Sequence, residues 1–109
     1  MTGLVTEQQQ DLDQLSAVLG AALGDATRLR IIMLLARRGE LNSGELQRLV
    51  DKKWSNVSQH LQYLRRFDVI DSRRESQFVY YRLAMPGIGR LATAVVRDAK
   101  KLLSTEGED

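Results

Sequence analysis

The sequence has no cysteine, a single histidine, a single proline and a single tryptophan in 109 residues. Without cysteine there are no disulfides, no thiolate metal sites, no thiol redox sensing and no cysteine nucleophiles, a pattern that fits a reducing compartment. Catalysis at neutral pH usually needs a nucleophile with its base, paired carboxylates or a metal. One histidine and glycines scattered as single residues, with no phosphate-cradling loop, supply none of these, so the chain reads as a non-enzyme. No basic segment leads into a long apolar run, and no apolar stretch is long enough to span a bilayer. The reading is therefore a soluble, cytoplasmic protein with one domain over residues 1–109, small enough to gain stability by pairing with a copy of itself.

Charge of either sign is also nearly absent as a net quantity: 16 Lys and Arg against 14 Asp and Glu leave +2. The distribution is more informative. Lys52, Lys53, Arg65, Arg66, Arg73, Arg74 and Arg82 lie in the middle, while Glu7, Asp11, Asp13, Glu106, Glu108 and Asp109 lie at the ends. A basic centre between acidic ends suits one face built for a polyanion.

What is present is a series of short, well-punctuated elements. Leu12, Leu15, Leu19, Ala22 and Leu23 recur at helical spacing, giving a first helix over about 7–23 that stops at Gly24. Asp25 caps a second helix over about 26–38, with Leu29, Ile32, Met33 and Leu35 inward and Gly39 as its stop. A short third helix takes Ser43 as N-cap and buries Leu46, Leu49 and Val50. After the polar turn Asp51-Lys52-Lys53, Ser55 opens a fourth helix reaching Arg66 or Phe67. Val69-Ile70 and Phe78 to Tyr81 are β-branched and aromatic runs around a polar stretch, which reads as a hairpin with a charged tip. Pro86 starts a last helix carrying Ile88, Leu91, Val95, Ala99 and Leu102. Residues 1–6 and 104–109 read as flexible ends. The fold class is mainly α with a small β-hairpin, in the order α-α-α-α-β-β-α.

Two short helices joined by a tight polar turn have the layout of a helix-turn-helix. At 100° per residue, Val57, Leu61 and Leu64 share one narrow sector of the fourth helix and face the core. Ser55, Gln59, Gln62 and Arg66 fall opposite, flanked by Asn56, Ser58 and Tyr63. Amides and hydroxyls read base edges, guanidinium reads guanine or phosphate, and no carboxylate on this face would repel DNA. The candidate base readers are Ser55, Asn56, Ser58, Gln59 and Gln62. Lys52, Lys53, His60, Arg66, Arg73, Arg74 and Gln77 are the candidate phosphate and wing contacts.

The runs LGDATRLRIIMLL and SNVSQHLQYLRRFDVIDSRRESQFVYYRL resemble the ArsR/SmtB family of bacterial winged-helix regulators, over about Leu19 to Leu83. The most specific portions are Asp25 to Arg30, the Ser55/Ser58/His60-Leu61 pattern and the strand Val79 to Leu83. The resemblance implies a homodimer formed by the first and last helices, a winged helix-turn-helix presenting two recognition helices to successive major grooves, and repression by promoter occupancy. The family usually has glycine where Asp68 stands, and often near Ser76. The residues support pairing independently, because the last helix carries Leu91, Val95, Val96, Leu102 and Leu103, more apolar surface than a small core covers. Leu12, Leu15, Leu19, Leu91, Val95 and Leu102 are the candidate dimer contacts.

The family's metal sites do not carry over. One type places two cysteines at the start of the third helix, where this chain has Asn42 and Gly44; neither offers a thiolate. The other uses Asp and His on the last helix, which here has Asp98 and no histidine. No metal or cofactor is expected, and the effector, whether small molecule, metal or protein, stays open. Three readings compete: an operator-binding regulator, which the polar helix face favours; a metal-responsive variant working through an atypical oxygen/nitrogen site or an accessory protein; and a winged helix turned protein-interaction module.

Overall fold

The computed structural model describes residues 2–108, and the side chains of residues 7–104. Eight elements follow one another: α1 (Thr2–Leu23), α2 (Ala26–Arg38), β1 (Glu40–Asn42), α3 (Ser43–Val50), α4 (Trp54–Arg66), β2 (Ile70–Glu75), β3 (Phe78–Leu83) and α5 (Pro86–Glu108). The expected elements are present, with four differences. Strand β1 precedes α3; three residues after Gly39 are too few to show a two-residue period. The N-cap of α3 is Asn42 rather than Ser43, and α4 begins at Trp54 rather than Ser55. Both terminal helices also continue through 2–6 and 104–108, where irregular ends were expected. Apolar spacing marks only the part of a helix that has something to bury. Residues 1 and 109 lie outside the described residues.

Local devices set the boundaries. The Asp25 carboxylate accepts hydrogen bonds from the backbone N–H groups of Thr27 (2.9 Å) and Arg28 (3.1 Å), satisfying two of the free donors at the start of α2. Gly39 ends α2 at φ 87°, a conformation that L side chains rarely adopt, and its N–H donates to the Leu35 carbonyl. Asn42 and Glu45 close a reciprocal capping box at α3: each side chain accepts from the other's backbone N–H, at 2.9 and 3.0 Å.

One core joins these pieces. Ile31, Ile32 and Leu35 of α2 meet Leu46 and Val50 of α3, Val57, Leu61 and Leu64 of α4, and Val69, Ile70 and Tyr81 from the hairpin. Ile31 is fully buried although its helical phase did not single it out, whereas Leu49 stays 39% exposed. The sheet runs β1-β3-β2, antiparallel throughout, with Leu41 opposite Tyr81 and Ile70 opposite Leu83. Helix α5 returns across α2 and reaches it closely at Gly89, where a Cβ would sit 2.8 Å from both the Ala36 Cβ and a Leu83 methyl.

Among the described residues, three other than glycine hold positive φ: Asp51 (59°), Asp68 (56°) and Ser76 (57°). They end α3, end α4 and turn the hairpin. After Phe67, the Asp68 N–H donates to the Arg65 carbonyl and the Val69 N–H to the Leu64 carbonyl, both at 3.0 Å, a Schellman ending sealed by apolar contact between Val69 and Leu64. Asp and Ser thus adopt the left-handed turns at 68 and 76, at a cost that glycine avoids.

Two predictions concern this frame. Replacing Asp68 or Ser76 by glycine relieves left-handed strain but loosens the unfolded chain, for a net gain of about 0.5–1 kcal/mol each. Thermal unfolding at matched protein concentration should show the midpoint rising by a few degrees for each; a fall would mean that the native side chain makes a compensating contact. The second prediction concerns pH. The Arg28 backbone N–H, with the charges of His60 and Arg28 behind it, holds the Asp25 carboxyl below its usual value against the opposing effect of burial. That contribution is fully present above about pH 4, the unfolded value, and is lost as pH falls through the lower native one. Asp25→Asn keeps an acceptor for the cap, so denaturant titrations should show a weaker acid-side loss of stability than wild type. Asp25→Ala should cost about 1 kcal/mol at neutral pH.

Candidate nucleic-acid interface

The helix-turn-helix is held from beneath. Leu46 and Val50 of α3 and Val57, Leu61 and Leu64 of α4 are all at most 1% exposed, so the outer face of α4 has one orientation relative to the body. Asp51 takes the left-handed conformation that stops α3 within one residue, and Lys52 and Lys53 follow, both exposed. Lys53 is the N-cap of α4 and offers no side-chain acceptor, and no acid stands in the first turn. The positive end of α4 and its free N–H groups are therefore left open beside two lysines, an arrangement suited to a phosphate.

Beyond that end, Ser55, Asn56, Gln59 and Gln62 are exposed and Ser58 is half-buried. These five side chains offer donors and acceptors with no formal charge. Arg66 lies exposed at the far end, with its guanidinium 5.8 Å from the Tyr63 ring.

His60 turns the other way. Its Nδ1 is 3.4 Å from an Arg28 guanidinium nitrogen and its Nε2 3.8 Å from the Asp25 carboxylate, with the side chain only 20% exposed. Arg28 also donates to the Ala21 carbonyl at 2.6 Å and lies 4.5 Å above the Tyr63 ring. The imidazole, a candidate phosphate contact, ties α4 to the start of α2. Arg28, absent from the sequence-based candidates, is the hub of this cluster. Its signal was the three-residue spacing from the capping Asp25, which places its backbone N–H on that carboxylate.

The wing separates two neighbouring arginines. Along β2, Ile70, Ser72 and Arg74 share one face, that of the buried Ile70, and Asp71, Arg73 and Glu75 share the other. On the outer face Arg73 makes two hydrogen bonds to Glu40 (2.7 and 3.0 Å), one to Glu75 (2.6 Å), and lies 4.5 Å over the Tyr80 ring. The hydrogen bonds from Arg73 hold the Glu40 carboxyl below its usual range. Arg73, a candidate phosphate contact, is engaged by two carboxylates and braces β1 against β2. Arg74 is exposed on the α4 side of the sheet, and Gln77 is exposed in the turn after Ser76. Period-two alternation was available from sequence; the position of Glu40 was not, because β1 was not foreseen.

The family's metal positions are put to other uses. Asn42 is engaged in the capping box, Gly44 has no side chain, and no group of three or more His, Asp and Glu side chains converges among the described residues. The donor set does not fit a metal at either position. The proposed pairing surface stays open: Leu12 (64%), Leu15 (57%), Leu19 (37%), Leu91 (41%), Val95 (49%) and Leu102 (68%) are exposed. None of the described helices is long and apolar enough to cross a membrane.

Comparison with known proteins agrees with this architecture. Residues 25–72 match the model of the arsR family of bacterial regulatory proteins. An arsenic resistance transcriptional regulator of Pseudomonas putida is 43% identical over 61 residues, 56% of this chain and 48% of that protein. The transcriptional activator HlyU of Vibrio cholerae is 37% identical over 78 residues, 69% of this chain and 71% of that one. The chain thus spans about half of the first relative's length and seven-tenths of the second's. Among solved structures, a homodimeric winged helix-turn-helix DNA-binding domain from Mycobacterium bovis superposes with a TM-score of 0.77 at 32% identity, covering 90% of this chain and 89% of that one. With its mainly α winged helix-turn-helix, its matched core region and relatives above 30% identity over most of their length, this chain belongs to the ArsR family of bacterial transcriptional regulators.

Proposed function

We propose that the protein binds an operator in double-stranded DNA as a homodimer and represses transcription by occupying a promoter. The observation that carries this reading is the outer face of α4, where Ser55, Asn56, Gln59 and Gln62 stand exposed with no carboxylate among them. Gln and Asn match adenine bidentately, and Ser pairs with several base edges. Lys52 and Lys53 at the open start of α4, Arg66 at its end and Arg74 on the wing supply the phosphate contacts that set register. Gln77 reaches from the wing turn. A protein-docking face would show a cluster of aromatic or aliphatic anchors, whereas Tyr63 is roofed by Arg28 and Trp54 (38% exposed) stands at the start of α4.

Pairing is supported by the exposed leucines and valine of α1 and α5 and by the homodimeric relative from M. bovis. Two-fold pairing presents two α4 helices, so the operator is an inverted repeat with half-site centres about 10 bp apart. Repression is the simplest outcome of occupancy by a small protein. The V. cholerae relative is an activator, so a promoter-reporter assay with and without the protein decides the sign. The absence of the family's cysteine and histidine ligands makes the response independent of those metal sites.

Three outcomes test this reading. Titration against the promoter upstream of its own gene and a scrambled duplex, at two salt concentrations, should give tighter binding to the promoter; equal weak binding to both would overturn operator recognition. Gln59→Ala should weaken operator binding by about 1–3 kcal/mol and scarcely change binding to random DNA. Arg74→Ala should weaken binding to every sequence and lower the salt slope by about one, whereas Arg73→Ala should leave the slope unchanged. A slope that falls with Arg73 and not with Arg74 would reverse the assignment of the two arginines.

A further inference from the structure

A groove of about 570 Å³ lies at the base of the wing, between the end of α2, strand β3 and the first half of α5. Much of its lining is apolar, from Leu35, Ala36, Leu83, Pro86 and Ala94. Its close end is the contact at Gly89, where α5 touches Ala36 and Leu83. Three guanidinium groups ring this apolar floor, from Arg82, Arg90 and Arg97, and no carboxylate lines the groove.

The charges are unusual for their setting. Arg90 and Arg97 are separated by seven residues on α5. Their neighbours three and four positions away are Pro86, Gly87, Thr93 and Ala94 for one, and Thr93, Ala94, Lys100 and Lys101 for the other. None is acidic, so neither arginine has the helical ion-pair partner that a solvated face commonly provides. Arg82 stands 4.0 Å from Asp71, the limit for an ion pair, and its charge also acts on Glu40 opposite it in the sheet. The hydroxyl of Thr93 is already engaged, donating to the Gly89 carbonyl at 2.8 Å. Cations above an apolar floor match a ligand that carries both an anion and an apolar body, and guanidinium is the group that grips a carboxylate with two parallel hydrogen bonds. The volume falls within the range of small-molecule sites.

The groove also stands clear of the other surfaces assigned above. At 100° per residue, Arg90, Thr93 and Arg97 lie on the side of α5 away from Leu91, Val95 and Leu102. Leu83 pairs with Ile70 at the base of the hairpin, the end remote from the wing tip at Glu75 and Phe78. Neither pairing through the α5 stripe nor wing contact with DNA closes it.

We infer that this groove is an effector site for a small carboxylate with an apolar body, held by Arg90 and Arg97 on α5 and by Arg82 on β3. Such a ligand ties the helix that carries the dimer stripe to the strand that carries the wing. Binding that differs between the DNA-bound and free forms changes operator affinity, and by linkage the operator changes ligand affinity by the same factor. The site does not depend on the DNA-binding reading, because occupancy is measured without DNA.

The test is calorimetric titration of the full chain with three probes: 1-naphthoate, the uncharged 1-naphthylmethanol and inorganic phosphate. The expected result is saturable binding of 1-naphthoate alone, weakened at least tenfold in the double variant R90A/R97A, whose thermal midpoint should stay near wild type. Arg37→Ala with Lys100→Ala, which alters cations of α2 and α5 that line a different groove, should bind 1-naphthoate as wild type does. Ala94→Trp, filling the floor without removing charge, should also abolish binding. Absence of binding by 1-naphthoate, equal binding of the alcohol, binding of phosphate alone, or an affinity unchanged in R90A/R97A would each overturn the proposal. Should R90A/R97A prove unfolded, retention of binding in folded Ala94→Trp overturns it equally.

Discussion

Val57, Leu61 and Leu64 occupy one narrow sector of α4, and their burial fixes what the other side of that helix presents. A one-residue rotation would take a polar side chain into the core and bring an apolar one out. Burying three aliphatic side chains contributes about 1.5–3 kcal/mol each, far more than any contact that the exposed amides make with solvent. The core thus acts as a registration device: the polar face is accurate because the apolar one is heavily penalised for error. The His60–Asp25–Arg28 cluster adds a second fixed point by tying α4 to the cap of α2. The same cluster helps to hold the outer face of α4 in place.

Most of the helical order was legible because its signals are local. Asp25 before an apolar period, Gly39 after it and Pro86 at a helix start each act through the backbone within a few residues. Features that depend on distant partners were not. Strand β1 exists because β3 offers it an edge, and Glu40 meets Arg73 across 33 positions. Nothing near Arg73 in the sequence distinguishes it from Arg74 except alternation, and alternation gains meaning only once a carboxylate is known to lie on one side. The setting of His60 was undetermined for a similar reason. Its helical phase put it at the edge of the core, where only the neighbouring α2 determines whether the ring turns in or out.

Left-handed backbone falls on residues other than glycine in a coherent way. Asp51, Asp68 and Ser76 hold left-handed backbone at the three bends that shape the DNA-facing half: the helix-turn-helix turn, the exit from α4 and the wing turn. The resemblance leads one to expect glycine at 68 and often near 76. The Schellman bonds at Asp68 and the complete β2–β3 register show that the bends form nonetheless. Asp tolerates this conformation better than most side chains, and the apolar seal between Val69 and Leu64 holds the α4 exit in place.

The carboxylate clamp on Arg73 bears on how the protein finds a target among many decoys. Affinity for arbitrary DNA grows with the number of phosphates neutralised, and a genome offers a vast excess of such sites. A wing whose outer arginine is neutralised within its own sheet adds little to that indiscriminate attraction. Under the operator reading proposed above, less of the protein would be held on irrelevant sequence and more would be free for sites that the α4 amides match.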